Sequence, residues 1–139
     1  MLSGLILLTT GDVSINDMDM KKDMYQIKQI LNVSPQETAI APNLTVKENL
    51  EFMAGVYQIT NKEEKINELI KQFKLEEILN KRAKTLSGGW QRRLSIAISL
   101  INNPKIIIAD EPTGNLDSAN SGELLNILQS LNREEGVTI

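Results

Sequence analysis

Apolar residues recur three or four positions apart in four stretches of the chain, which is the spacing of one face of an α-helix. The four apolar stripes are Val46, Leu50, Met53 and Tyr57; Ile66, Leu69, Ile70 and Phe73; Trp90, Leu94, Ala97, Ile98 and Ile101; and Leu124, Leu125, Leu128 and Leu131. The first two follow pairs with the spacing of a capping box, Thr45 with Glu48 and Asn61 with Glu64. The pattern therefore predicts four amphipathic helices.

The ends of the helices and two shorter pieces can also be placed. Residues 21–29 and 75–79 each favour a short helical piece. Ser118 or Asp117 is suited to cap the last helix, and Gly136 is placed to end it.

Apolar runs without helical spacing predict strands. Residues 106–108 are three consecutive isoleucines, as expected of a strand that is covered on both faces. Residues 30–33 read as a second buried strand, which Pro35 would end. Residues 13–15 predict a short strand, and residues 137–139 begin another. Strands that alternate with helices indicate an α/β fold.

Composition narrows the functional classes. The chain has 139 residues, enough for one domain with its own core. The formal net charge is −3, so no broad basic surface indicates a nucleic-acid partner. There is no cysteine and no histidine, which excludes disulfides, thiolate metal sites and a histidine base from these 139 residues.

The first candidate site is the start of the third predicted helix, where Ser87, Gly88 and Gly89 precede the apolar stripe. A serine N-cap and two glycines leave the first amides of the helix uncovered, at the positive end of the helix dipole. Such an end binds anions, most often phosphate. A capped core helix with a glycine turn remains the alternative for these three residues alone.

The second candidate site is the acidic pair that follows the isoleucine run. Ligands of open α/β sheets bind at the carboxyl ends of strands, which is where Asp110 and Glu111 lie. Because adjacent strand residues point to opposite sides, we expect separate roles for them. One can hold Mg²⁺, and the other can act as a general base toward water. A solvated acidic turn is the alternative.

The two sites together resemble the nucleotide-binding subunit of ABC transporters. LSGGW at 86–90 is similar to the family's signature motif, IIIADE at 106–111 to its Walker B segment, and GNLD at 114–117 to its D-loop. The resemblance implies a partial P-loop NTPase core sheet, of the ABC ATPase kind, with an inserted helical subdomain. It divides the chain into a core part at 1–40, a helical subdomain at 41–100 that ends in the signature helix, and a core part at 101–139.

The resemblance also implies a role for each motif residue. Ser87, Gly88 and Gly89 would bind the γ-phosphate of a nucleotide held by a second ATPase subunit. Asp110 would hold Mg²⁺, and Glu111 would activate water. Two further residues complete the implied site: Gln36, as the Q-loop glutamine, would contact Mg²⁺ or the attacking water, and Asp117, in the D-loop, would help to join the two subunits.

Three features depart from the family pattern. No G-x-x-x-x-G-K-[ST] segment, the loop that cradles phosphates, occurs in the 139 residues. The family's γ-phosphate histidine, which follows the strand begun at 137–139, is absent. Trp90 stands where a glutamine is often found, and we expect it to serve packing. We therefore expect a fragment that starts just downstream of the Walker A loop and that neither binds ATP tightly nor hydrolyses it alone.

The resemblance implies that the full-length protein is an ATPase subunit that uses ATP and Mg²⁺ and energises an ABC transporter of the export type. Its partners would be separate transmembrane subunits, docked near the exposed part of 38–60, and a second ATPase subunit in a head-to-tail dimer. The location would be cytoplasmic, on the inner face of the cell membrane, with no nucleic acid expected. The alternatives are an ABC-type ATPase of DNA repair or chromosome maintenance, and a non-catalytic helical interaction module.

Overall fold

The fold is that of a computed structural model, which describes residues 10–114 and 116–139. Residues 1–9 begin with an apolar stretch that, by the resemblance to ABC ATPases, would end a helix, and they lie outside the described residues. So does the place of Asn115 in the D-loop turn.

The described residues alternate helices with short strands. The strands are β1 (Ser14–Ile15), β2 (Met18–Asp19), β3 (Leu31–Ser34) and β4 (Ile106–Ala109), and the helices are α1 (Met24–Ile30), α2 (Val46–Val56), α3 (Lys62–Gln72), α4 (Gly88–Ser99) and α5 (Ser118–Glu134). Two 3₁₀ turns, Glu76–Ile78 and Ala83–Thr85, lead from α3 to α4. The predicted α/β class is confirmed, and each predicted helix lies within a few residues of its expected bounds. Strand β2 and the turn Ala83–Thr85 were not predicted.

A β-hairpin opens the described chain. Strands β1 and β2 pair antiparallel, and the two residues between them, Asn16 and Asp17, have φ angles of 52° and 63°. Two left-handed residues in a two-residue loop are typical of a type I′ turn, whose twist matches that of the strands. The prediction that these two residues close the first strand is confirmed.

Strands β3 and β4 form the sheet that carries the candidate site. They are parallel, with Leu31 opposite Ile106 and Ser34 opposite Ala109. On the other side of β4, Thr138 bridges Ile106 in parallel orientation, as expected of a strand that begins at 137. Because β3 and β4 run in the same direction and in register, the loops that follow them leave the sheet at the same edge.

The three central helices pack around one apolar core. It includes Val46 and Leu50 of α2, Leu69 of α3 and Leu94 of α4, each fully buried. The capping box at α2 is confirmed, because the Glu48 amide donates to Thr45 Oγ1 at 3.2 Å and the Thr45 amide donates to Glu48 Oε2 at 2.7 Å.

The capping box expected at α3 is wrong. Asn61 occupies the N-cap position, but its side chain makes no cap hydrogen bond. Its φ of −101° and ψ of 50° differ from the extended backbone seen at Thr45, so its side chain is not held over the first turn.

A buried asparagine joins the sheet to the helices. Asn32 of β3 is 9% exposed, and its Nδ2 donates to the Ser99 carbonyl at 2.6 Å and to Asn102 Oδ1 at 2.7 Å. Its Oδ1 accepts from the Tyr57 hydroxyl at 3.1 Å. Strand β3 is thus hydrogen-bonded both to the end of α4 and to the residue that ends α2.

Helix α5 completes the described chain. Asp117, rather than Ser118, caps it, and Gly136 follows its end with a φ of 70°, a conformation in which glycine carries no steric penalty. Leu124, Leu128 and Leu131 are buried, but Leu125, which was expected in the same apolar stripe, is 44% exposed.

No helix among the described residues has the length and apolar character needed to cross a membrane.

Candidate functional site

The ends of β3 and β4 bring two of the predicted site residues into contact. Gln36 Nε2 donates to Glu111 Oε2 at 3.1 Å, although 75 residues separate them along the chain. The Asp110 amide donates to the Ser34 carbonyl at 3.0 Å, which extends the pairing of the strands by one residue. The side chains of Gln36, Asp110 and Glu111 are all exposed at this edge, so a ligand can reach them.

The backbone of Glu111 is unusual. Its φ is 44°, a left-handed conformation that non-glycine residues adopt at a cost of order 1–3 kcal/mol. The turn is closed by the Gly114 amide, which donates to the Glu111 carbonyl at 2.9 Å. A Cβ on Gly114 would lie 3.1 Å from Glu111 Oε2 and 3.2 Å from the Glu111 carbonyl oxygen. Gly114 therefore leaves the space in which the Glu111 carboxylate lies.

Beneath this edge lies an arginine to which sequence reasoning assigned no role. Arg92 of α4 is 4% exposed, and its guanidinium donates only to backbone carbonyls in the described structure, those of Pro35, Gln36, Asp110 and Pro112. Burial lowers the pKa of Arg92, while the Asp110 and Glu111 carboxylates act in the opposite direction. The available sequence clue was a pair of adjacent arginines, Arg92 and Arg93, one turn into a helix that carries an apolar stripe.

The predicted anion site is the start of α4. The prediction that Ser87 is the N-cap residue is confirmed, since it has the extended backbone of that position, and its side chain makes no cap hydrogen bond. Ser87 and Gly88 are exposed, and a Cβ on Gly88 would meet nothing within 4 Å. Gly89 is more enclosed, since a Cβ there would lie 3.4 Å from Leu116 Cδ2.

Asp117, the predicted D-loop residue, uses its carboxylate as a helix cap. Its Oδ1 accepts from the Asn120 amide at 2.8 Å and its Oδ2 accepts from Asn120 Nδ2 at 2.7 Å. Hydrogen bonding to Asn120, chiefly to its amide, holds the pKa of Asp117 below its usual value. The residue is exposed, so its outer surface is open to a second protein.

The edge of the sheet and the start of α4 line the same cavity, of about 170 Å³. Gln36 and Glu111 line it from the strand ends, Gly88 and Gln91 from the helix, and Leu116 from the segment after β4. Three of the seven predicted site residues, Gln36, Gly88 and Glu111, therefore line one space. The other four, Ser87, Gly89, Asp110 and Asp117, are not among its lining residues.

Trp90 lies outside this space. It is half-buried against the apolar core, and the Arg93 guanidinium carbon lies 4.9 Å from the centre of its ring. Arg93 is 3% exposed and pairs with Glu123 of α5. These contacts agree with the packing role expected for Trp90.

Among residues 10–114 and 116–139, no three carboxylate side chains lie close enough to form a metal cluster by themselves. The oxygen ligands at the sheet edge suit Mg²⁺, which typically binds to one or two carboxylates and completes its shell with phosphate oxygens and water. The Asp110 carboxylate therefore fits a metal that arrives with a phosphate ligand.

Comparison with known proteins gives a consistent result. The family model described as "ABC transporter" matches residues 1–114. The ABC transporter ATP-binding protein YtrE of Bacillus subtilis is 38% identical over 99% of this chain, and the match spans 63% of YtrE. The macrolide export ATP-binding/permease protein MacB of Syntrophobacter fumaroxidans is 44% identical over 75% of this chain and 15% of its own length.

The fold also resembles that of a solved ATP-binding cassette. The dimeric post-hydrolysis structure of the ATP-binding cassette MJ0796, bound to ADP and Pi, superposes with a TM-score of 0.82 at 31% identity. That match covers 98% of this chain and 63% of MJ0796. The chain thus spans less than two thirds of the length of these relatives.

Proposed function

This chain belongs to the ABC transporter family of ATP-binding cassettes, and from that premise we propose that it is part of an ATP-hydrolysing subunit of an ABC transporter. The observation that carries the proposal is the contact between Gln36 and Glu111 at the edge where β3 and β4 end. This edge is where α/β proteins bind their ligands. The substrate proposed is ATP with Mg²⁺.

Glu111 is the proposed general base. Its carboxylate is exposed at the sheet edge and is held by one hydrogen bond from Gln36, so it can accept a proton from a water beside it. Gln36 would orient that water or contact the metal, and Asp110, on the adjoining residue, would hold Mg²⁺. Bound Mg²⁺ would supply positive charge that offsets the charge developing on the phosphate oxygens.

The start of α4 would complete a site on a second subunit. The amides after Ser87, with Gly88 and Gly89, offer donors and the positive end of a helix dipole to a γ-phosphate. Gly88 is open on its outer side, which suits the approach of a neighbouring molecule. The dimeric state of MJ0796 supports a head-to-tail pair in which Asp117 lies near the subunit boundary.

The helical subdomain at 41–100 is proposed to meet the transmembrane subunits through the exposed part of 38–60. Within that stretch, Phe52 and Val56 lie one turn apart on α2 and are 59% and 56% exposed. Large apolar side chains that share one exposed helix face favour a protein partner. We place the subunit on the cytoplasmic face of the cell membrane, and the similarity to MacB, named as a macrolide exporter, favours export.

The test is the Mg²⁺-dependent ATPase activity of the complete gene product, measured for the wild type and for Glu111→Gln. Removing the general base should lower kcat by about 10²–10⁴-fold, because the amide cannot accept the proton. Glu76→Gln is the matched control, since Glu76 is an exposed glutamate far along the chain from the sheet edge.

Two results would contradict the proposal. One is a wild-type protein that hydrolyses no ATP when supplied with Mg²⁺ and its membrane partners. The other is a Glu111→Gln variant whose kcat equals that of Glu76→Gln.

A further inference from the structure

Arg92 joins the two loops on which the proposed site depends. Its Nη1 donates to the Pro35 carbonyl and, at 3.3 Å, to the Gln36 carbonyl, both in the loop after β3. Its Nη2 donates to the Asp110 carbonyl, and its Nε donates to the Pro112 carbonyl at 3.2 Å, both in the loop after β4. A single planar guanidinium therefore bonds to the backbone on each side of the Gln36–Glu111 contact.

The identity of the residue fits this geometry. Arginine presents five donors in a rigid, planar fork, whereas lysine presents a compact charge on a flexible stem. Such a fork can satisfy the backbone carbonyls of two separate loops together. A lysine could neutralise the same region but would not hold both loops at once.

The burial of Arg92 makes its guanidinium dependent on the hydrogen bonds that the two loops provide. It is 4% exposed, and no described carboxylate oxygen forms a salt bridge with it. A buried cation is costly unless its hydrogen bonds are satisfied, and here the carbonyls of the two loops satisfy them. The loops and the guanidinium therefore hold one another in place.

We infer that Arg92 is a positioning residue, which fixes the loop carrying Gln36 against the turn carrying Asp110 and Glu111 and ties both to the signature helix α4. It contacts the backbone of these residues rather than the substrate. The consequence for turnover rests on the proposed function, whereas the ordering of the two loops does not.

The adjoining residue offers a matched control. Arg93 lies on the same helix and is 3% exposed, but its guanidinium is directed to Asn120 and Glu123 of α5. Arg92→Gln and Arg93→Gln thus each remove one buried arginine from α4. Only the first removes a contact with the loops after β3 and β4.

The first measurement is hydrogen–deuterium exchange of the complete gene product without nucleotide. We expect Arg92→Gln to speed exchange in the peptides that cover 34–37 and 109–112, and Arg93→Gln to leave those peptides unchanged. Equal exchange of these peptides in the two variants, or no change in either, would overturn the inference. Arg92→Lys, which keeps the charge, should exchange like Arg92→Gln, and wild-type exchange in that variant would equally overturn it.

The second measurement separates kcat from KM in the same proteins. Loss of orientation of Glu111 should lower the kcat of Arg92→Gln by about 10–100-fold, since small misplacements of a reacting group have effects of that size. Its KM should change by less than about three-fold, because no contact with the substrate is removed. An equal loss of kcat in Arg93→Gln would show a general effect of destabilising α4 and would overturn the inference.

A failure of the inference about Arg92 can be told apart from a failure of the proposed ATPase function. A wild-type protein without ATPase activity would refute the proposed function, and the exchange of 34–37 and 109–112 would still decide whether Arg92 orders the loops.

Discussion

At the scale of single residues, the geometry of Glu111 depends on the absence of a side chain at Gly114. Glu111 lies in a left-handed conformation that is unfavourable for a glutamate, and its carboxylate lies over Gly114. The turn closed by the Gly114 amide and the hydrogen bond from Gln36 hold this arrangement. Strain of this kind is concentrated where a side chain must point in a defined direction.

Gly114→Ala should therefore disturb the proposed base. The added Cβ would lie 3.1 Å from Glu111 Oε2 and 3.3 Å from Glu111 Cβ, so the side chain of Glu111 must shift from its position. We expect kcat of the complete gene product to fall about ten-fold or more. The control is Gly122→Ala on α5, where a Cβ meets nothing within 4 Å. A Gly114→Ala enzyme as active as the Gly122→Ala enzyme would contradict this account of Glu111.

At the scale of elements, the start of α2 shows how a local sequence fixes a helix boundary. Thr45 and Glu48 satisfy each other's backbone amides, which would otherwise have no partner in the first turn. The Thr45 amide, as its main cause, holds the pKa of Glu48 below the usual value. A carboxylate whose pKa is lowered by folding stabilises the protein above its unfolded pKa and loses that contribution as the pH falls through its folded pKa.

Thr45→Ala should lower the free energy of unfolding by about 1 kcal/mol at pH 7, because it removes the hydroxyl that accepts from the Glu48 amide and donates to the Glu48 carboxylate. Because the Glu48 carboxylate is protonated in acid, the difference in unfolding free energy between Thr45→Ala and the wild type should shrink as the pH falls below about 4.5. Urea unfolding at a series of pH values measures both effects. Thr45→Ser keeps the hydroxyl and should behave like wild type. A deficit in Thr45→Ala that is independent of pH would show that the bond from the Thr45 hydroxyl to the Glu48 carboxylate contributes nothing to stability.

At the scale of the whole molecule, Asn32 connects the sheet to the helical part. Its amide reaches the end of α4, and its carbonyl oxygen accepts from Tyr57 at the end of α2. Because the side-chain amide of Asn32 is buried, losing any of these hydrogen bonds would leave a buried polar atom without a partner. The sheet edge that carries Gln36 is therefore linked to α2 and α4 through one strand.

Tyr57→Phe should lower the free energy of unfolding by about 1 kcal/mol, because Asn32 Oδ1 loses its partner in a buried setting. The urea midpoint should fall while the m-value stays constant, if the sheet and the helices unfold as one unit. Tyr25→Phe is the control, since Tyr25 is 75% exposed. A midpoint equal to that of Tyr25→Phe would show that the hydrogen bond contributes nothing to stability.

Nucleotide binding is a property of the whole molecule as well. The 139 residues contain no G-x-x-x-x-G-K-[ST] segment, and such a loop makes many of the contacts to a bound triphosphate. We expect calorimetric titration of this chain with Mg-ATP to show no binding tighter than about 1 mM, equivalent to about −4 kcal/mol. Micromolar binding would show that the sheet edge and the start of α4 suffice.

Features that depend on neighbours in the chain could be predicted from the amino-acid sequence. Helical periodicity placed α2 to α5, the capping box fixed the start of α2, and the isoleucine run marked β4. The same local order placed Asp110 and Glu111 directly after an apolar strand, of which only Ile107 is fully covered, and the motifs around them identified the family. These features could be predicted because a cap, a turn or an amphipathic face is built within a few consecutive residues.

Contacts between residues far apart in the chain came from the packing of whole elements. The contact of Gln36 with Glu111 follows from the parallel register of β3 and β4, which periodicity does not specify. The carbonyls bound by Arg92 depend on how α4 lies against that sheet. Such contacts depend on the docking of whole elements. No pattern within a few residues can therefore encode them.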